Sequence, residues 1–179
     1  MTKRRIVILE GPDMCGKSEI SRALCKERGY TYFKNDAERR NFGESNDYFI
    51  NTLRYGLTYF LSFLRQSDVS VVFDRCYPSE YVYSKAFDRK TDWTVLKECD
   101  EEMARLGAVI IIPVRNSYDN INDDTHPHLV NSERLKMLHD LYVEFSHWTS
   151  CKVMFLNVDD ENLQRELSEI HTFLQETAP

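Results

Sequence analysis

Gly11, Gly16, Lys17 and Ser18 stand at the spacing G-x-x-x-x-G-K-S within the run Glu10-Gly11-Pro12-Asp13-Met14-Cys15-Gly16-Lys17-Ser18. Glycines so placed let the backbone turn tightly enough for successive N–H groups to point inward and hold an anion. A lysine at the end of such a loop reaches the β- and γ-phosphates of a nucleoside triphosphate, and the hydroxyl after it can ligate Mg²⁺. The expected contacts to the triphosphate are therefore Gly11, Asp13, Met14, Cys15, Gly16, Lys17, Ser18 and Glu19. A second pair of charges, Asp74-Arg75, closes an apolar run. An acid and a base at the end of a buried strand are costly to tuck away unpartnered. A phosphate and its metal would partner both: Asp74 for Mg²⁺ or its water, and Arg75, with its planar fork of donors, for an anionic phosphoryl group.

These residues need elements to hold them. The motif demands a strand before the loop and a helix after it. Residues 5–9 supply a continuous apolar run of the kind buried on both faces of a parallel sheet. Ile20, Ala23 and Leu24 then fall on one helical face, and Gly29 is placed to stop that helix. Further strands are expected over residues 30–34, 69–73, 108–112 and 152–156, and helices over 46–65, from Pro78, within 92–106, over 132–145 and over 161–174. Strands alternating with helices imply right-handed crossovers and an α/β doubly wound, five-stranded parallel sheet with helices on both faces. Ligands in such sheets bind at the carboxyl ends of the strands, which puts the Gly11 to Ser18 loop, the region after Lys34, and Asp74-Arg75 along one edge.

The 179 residues give room for one sizeable core, and no repeat, low-complexity tract or Pro/Gly-rich linker divides the chain. A net charge of −6 counts against nucleic acid and anionic membranes as partners without excluding a local basic patch. No apolar stretch approaches the length needed to span a bilayer, and Met1-Thr2-Lys3-Arg4-Arg5 runs straight into the first strand without a signal-peptide region. The expected compartment is cytoplasmic. Five scattered cysteines with no C-x-x-C spacing read as reduced thiols, and only Cys15 falls at a ligand surface.

The motifs together resemble the thymidylate kinases and related deoxynucleoside kinases among the P-loop kinases. Leu9 to Ser18 is similar to the thymidylate kinase loop E-G-x-D-x-x-G-K-T, and Asp74-Arg75 followed by Ser79 and Tyr83 looks like the family's D-R-x-x-x-S-x-x-x-Y. The specific motifs cover residues 9–18 and 74–83, while the order of elements agrees over nearly the whole chain. The resemblance implies the three-layer fold of P-loop NTPases in a single kinase domain over 1–179, with a lid at about 115–130. It also implies acceptor contacts from Asp13, Arg75, Ser79 and Tyr83, with Arg75 on the acceptor phosphate. In the family an aromatic and an arginine on the helix after strand two hold the acceptor base, roles that fall here to Phe49 (or Tyr48) and Arg54. Lys34 is a further acceptor-phosphate candidate.

One departure stands out. The resemblance implies a catalytic arginine from the phosphate loop or from the lid, yet the loop position that could carry it is Met14, and the lid stretch is acidic and short, with arginine only at Arg115 and, beyond it, Arg134. Either Arg115, the first choice, or Arg134 is then the catalytic arginine beside Lys17, Asp74 and Arg75, or the acceptor differs from thymidylate. His126 and His128 lack a third ligand at defined spacing and read as polar lid residues rather than a metal site.

The resulting expectation is an ATP- and Mg²⁺-dependent kinase acting on a deoxynucleoside monophosphate, thymidylate leading. Three alternatives stay open. A deoxynucleoside kinase would need a carboxylate base, for which Asp36 and Glu38 are the candidates by position. A kinase of a modified base or polynucleotide end would need a basic track, with Lys3-Arg4-Arg5 and Arg39-Arg40 the dense clusters. The last is an ATP-binding protein without transfer chemistry. A nucleotide or nucleoside acceptor is thus the expected partner, nucleic acid is not favoured, and a homodimer is left open.

Overall fold

The computed structural model describes residues 4–34, 56, 58–119, 121 and 131–177. In chain order these form β1 (Ile6–Leu9), α1 (Lys17–Arg28), β2 (Thr31–Lys34), α2 (described over 58–66), β3 (Val71–Asp74), α3 (Tyr77–Ala86), α4 (Trp93–Arg105), β4 (Val109–Val114), α5 (Ser132–Trp148), β5 (Lys152–Asn157) and α6 (Leu163–Glu176). The five strands make one sheet in the order β2-β3-β1-β4-β5. Every pairing is parallel. This is the α/β architecture that the alternation of strands and helices predicts.

Alternate side chains of β1 feed two separate cores, which is why its sequence is apolar without a break. Ile6 and Ile8 join Phe73, Ile110 and Ile112 beneath Tyr81 of α3, Leu96 and Met103 of α4, and Tyr142 and Phe145 of α5. Val7 and Leu9 join Val72 and Ile111 beneath Ile20 and Leu24 of α1 and Ile170 and Leu174 of α6. Helices therefore cover both faces, and the middle strands are locked from above and below.

Strand four runs two residues further than its apolar stretch suggests, through Pro113 to Val114. Pairing with β1 ends at Leu9↔Ile111, whereas pairing with β5 continues to Val114↔Asn157. Pro113 thus lies alongside the point where β1 has already given way to the glycine loop, and its missing N–H leaves no ladder bond unmade there. The same proximity explains Gly11. At φ 141° its backbone suits glycine, and a Cβ would meet the Pro113 carbonyl oxygen at 2.8 Å.

Among the described residues no helix is long and apolar enough to cross a membrane. All five cysteines are free thiols and buried.

Candidate active site

The register Leu9↔Asp74 sets the ends of β1 and β3 side by side, so the residues that follow them, Glu10 and Arg75, share one edge of the sheet. The Arg75 N–H donates to the Leu9 carbonyl at 3.0 Å, which extends the ladder one step into the loop. From Glu10 the chain turns through Gly11 to Gly16, where a left-handed Gly16 (φ 68°) opens α1 with no side chain capping it. That helix start leaves backbone N–H groups and the positive end of the helix dipole available to an anion. Lys17 is buried, its Nζ donating to the Pro12 carbonyl at 2.6 Å and lying 3.9 Å from Asp13 Oδ1. Burial, followed by repulsion from Arg75, lowers its pKa to about 8.

Next to the lysine, Ser18 Oγ donates to Asp74 Oδ2 at 2.5 Å, and the Tyr32 hydroxyl donates to the same oxygen at 2.7 Å. Burial and this bond to Asp74 push the Tyr32 phenol up to about 12, so it stays a donor. A hydroxyl and a carboxylate with hard oxygens side by side fit Mg²⁺, which is commonly held by one or two carboxylates together with phosphate oxygens. Tyr32 is a partner that residue spacing gave no means of finding, since it sits on a neighbouring strand 42 residues away.

Arg75 is the most heavily furnished residue of the site. It takes a left-handed backbone (φ 69°), a conformation that non-glycine residues adopt only where the surroundings over-determine it. Its guanidinium pairs with Asp13 Oδ1, donates to Ser79 Oγ at 3.3 Å, lies 4.0 Å from Glu10 Oε2 and sits over the Tyr83 ring at 5.5 Å. The Tyr83 hydroxyl closes the ring by donating to Asp13 Oδ2 at 3.3 Å.

Glu10 holds this group to the sheet. It is fully buried and accepts from the Cys76 N–H (2.6 Å), the Ser79 N–H (3.2 Å), Ser79 Oγ (2.7 Å) and the Tyr142 hydroxyl (2.9 Å). Cys76, the residue before α3, offers no side-chain cap, so the carboxylate that follows β1 caps α3 instead. Burial raises the Glu10 carboxyl above its ordinary pKa, against the opposing pull of Arg75 and these donors. Its signal in the sequence was a charge between a buried strand and a glycine turn; Tyr142, 132 residues away, had none.

On the other flank of the loop the arrangement is looser. Arg115 follows β4, and its guanidinium turns back to donate to the Met14 carbonyl at 3.3 Å and to Glu161 Oε1 at 2.7 Å. Met14 and Arg115 rim a cavity of about 320 Å³ between the start of α1 and the connection from β5 to α6. Cys15 also lines it, and burial raises that thiol's pKa.

The structure thus brings together Asp13, Lys17, Ser18, Asp74, Arg75, Ser79 and Tyr83, and sets Arg115 apart on the far side of Met14. Lys34 ends β2 opposite Asp74 in the register. Glu19 lines the cavity beside Arg115. Arg134, in the first turn of α5, lies over the Phe87 ring at 4.6 Å. Tyr48, Phe49, Arg54, Asp36, Glu38, Arg39, Arg40, His126 and His128 lie outside the described residues, as does most of the expected lid.

No family model matches the sequence, and no curated protein matches it. Solved structures do. The YorR protein of Bacillus subtilis, in complex with phosphorylated GDP, is 18% identical with a TM-score of 0.65, over 96% of this chain and 95% of that one. Thymidylate kinase of Ehrlichia chaffeensis is 13% identical with a TM-score of 0.62, over 96% and 99%. Deoxyadenosine kinase of M. mycoides with bound dATP is 18% identical with a TM-score of 0.59, over 94% and 98%. The chain shares the α/β fold of these three proteins.

Proposed function

We propose that this chain is a nucleotide kinase that passes the γ-phosphoryl group of ATP to a deoxynucleoside monophosphate, thymidylate being the leading acceptor. One observation carries the reading: Lys17 and Arg75 both address the same oxygen of Asp13, Lys17 at 3.9 Å and Arg75 in direct contact. Lys17 and the partly exposed Arg75 thus stand side by side about one carboxylate, and an anion that reaches either cation is favoured there. A donor triphosphate in the Gly11 to Ser18 cradle supplies one, and the phosphate of a monophosphate acceptor supplies the other. A free nucleoside would bring nothing for Arg75. The named activities of structural neighbours, thymidylate and deoxyadenosine kinases, lie in the same class.

Phosphoryl transfer asks little covalent chemistry of a protein and much positioning. Lys17 and the loop amides hold the donor phosphates, and Arg75, fixed by Asp13, Ser79 and Tyr83, aims an acceptor phosphate oxygen at the γ-phosphorus. The products are ADP and a nucleoside diphosphate. Ser18 and Asp74 would hold Mg²⁺, which when bound neutralises charge on the transferring group. Arg115 stays a candidate for the transition-state guanidinium, although it lies against the donor side of the loop.

The test is a screen of the purified protein with Mg²⁺ and labelled ATP against nucleosides, nucleoside monophosphates and DNA. Label should pass to monophosphates, dTMP foremost, and Lys17→Ala should lower turnover by several kcal/mol of transition-state stabilisation. Transfer only to nucleosides or DNA, or none at all, would overturn the reading.

A further inference from the structure

Tyr32 makes a contact that the transfer chemistry above leaves unused. In the register of β2 on β3 it stands opposite Val72, so strand alternation sets its side chain on the face that Val72 and Asp74 share, the one that Ile20 and Leu24 of α1 cover. From there its hydroxyl reaches along β3 and donates to Asp74 Oδ2 at 2.7 Å. Ser18, at the start of α1, donates to the same oxygen at 2.5 Å. One turn further along α1, Arg22 lies against the tyrosine ring, its guanidinium carbon 5.7 Å from the ring centre. A carboxylate held through one hydroxyl is free to pivot about that bond, and a second donor on the same oxygen removes the freedom. The two donors also differ in what they have left to give. Ser18 spends its single proton on Asp74, which leaves its lone pairs for a cation, whereas Tyr32 comes from a strand apart from the loop and steadies the carboxylate. Asp74 is itself only 2% exposed, so its orientation is set by these protein donors rather than by bulk water.

We infer that Tyr32 is a positioning residue of the Mg²⁺ site: through Asp74 Oδ2 it keeps the pair of Ser18 and Asp74 in the one arrangement that offers a hard oxygen from each to the ion. The inference rests on the reading of Ser18 and Asp74 as the holders of Mg²⁺, and adds to it a residue outside the loop that acts through the carboxylate. Hydrogen-bonding partners behind a ligating carboxylate are worth about tenfold to a hundredfold in metal affinity.

Calorimetric titration with ATP in the presence of Mg²⁺, and with ATP in excess EDTA, separates the ion from the nucleotide. The ratio of the two affinities is the protein's preference for the metal complex, a quantity that a loss of packing alone leaves unmoved. Wild-type protein should prefer the Mg²⁺ complex by about tenfold or more. Tyr32→Phe keeps the ring beside Arg22 and removes the hydroxyl alone, so the preference should fall about tenfold while metal-free ATP binds within about twofold of wild type. Asp74→Ala should lower the preference at least as far, and adding Tyr32→Phe to it should change nothing further, because the carboxylate through which the tyrosine acts is gone. A preference left unchanged or enlarged by Tyr32→Phe overturns the inference, and so does an equal fall in the background of Asp74→Ala. Wild-type protein that binds ATP equally well with and without Mg²⁺ overturns the assignment of Ser18 and Asp74 to the ion, and the role of Tyr32 with it, while leaving the cradle intact. Wild-type protein that binds ATP in neither condition overturns the cradle itself.

Discussion

The loop from Gly11 to Ser18 has two flanks built on different principles. Toward β3 and α3, Glu10, Asp13, Arg75, Ser79 and Tyr83 satisfy one another in a closed ring of ion pairs and hydrogen bonds, anchored by Tyr142. Toward α6, Arg115 reaches one backbone carbonyl and the exposed Glu161. Both flanks carry charges of both signs, so the difference lies in how much of the polar group's environment the protein itself supplies. A ring of satisfied groups fixes one geometry in advance, as a site must if it is to align a reacting oxygen. A flank held by one exposed ion pair and one carbonyl fixes far less in advance. On the proposed reading, alignment of the acceptor therefore belongs to the first flank.

The sharpest way to break that contrast is Arg75→Ala. Removing the guanidinium should lower kcat/KM for a monophosphate acceptor about a thousandfold, the loss of about 4 kcal/mol that follows from deleting a preorganised charge contact. The affinity for ATP should stay within about twofold of wild type, because a lost acceptor contact leaves donor binding untouched. Steady-state kinetics and calorimetry read the two quantities separately. Equal weakening of ATP would move Arg75 to the donor side and dissolve the division between flanks.

How far these flanks can be seen in the sequence depends on distance along the chain. The cradle is local: Gly11 to Ser18 fixes its own conformation, so a motif suffices. Asp74-Arg75 is nearly as legible, because an ion pair ending a buried strand needs an explanation wherever it falls. Glu10 was visible only as a charge in an odd place, since its partners come from α3 and α5 and meet only after both helices dock on the sheet. Arg115 reads as a lid arginine because it opens the stretch after strand four. Its contacts with Met14 and Glu161 are ones that residue spacing does not announce.

Glu10 distinguishes satisfaction from charge within the tight flank. Glu10→Ala leaves the Cys76 and Ser79 N–H groups without their acceptor in a fully buried setting and should destabilise the protein by about 3 kcal/mol. Glu10→Gln can turn its oxygen to those two N–H groups and its amide to Ser79 and Tyr142, whose hydroxyls rotate to accept, so its cost should be near 1 kcal/mol. Urea unfolding of both variants measures the gap. If glutamine proved as damaging as alanine, the negative charge facing Arg75, rather than hydrogen-bond satisfaction, would be what holds the flank.

The smallest effect sharpens the comparison at the point where the flanks meet. Lys17, held at a pKa of about 8 by burial and by Arg75, is protonated in free protein at pH 6 and half neutral at pH 8. A lysine in the unfolded chain keeps its ordinary pKa of about 10.4, so between the two values the unfolded state binds the extra proton and stability rises with pH. Phosphate groups in the cradle favour the charged form and reverse the shift. Triphosphate binding should accordingly take up about half a proton at pH 8 and close to none at pH 6, read as the dependence of the calorimetric enthalpy on the ionisation heat of the buffer. Binding of a monophosphate acceptor alone, seated on Arg75, should take up less, because its charge acts on Lys17 only through Asp13. Equal uptake for donor and acceptor would mean that a single anion site spans both cations, and that the two flanks divide the nucleosides but not their phosphates.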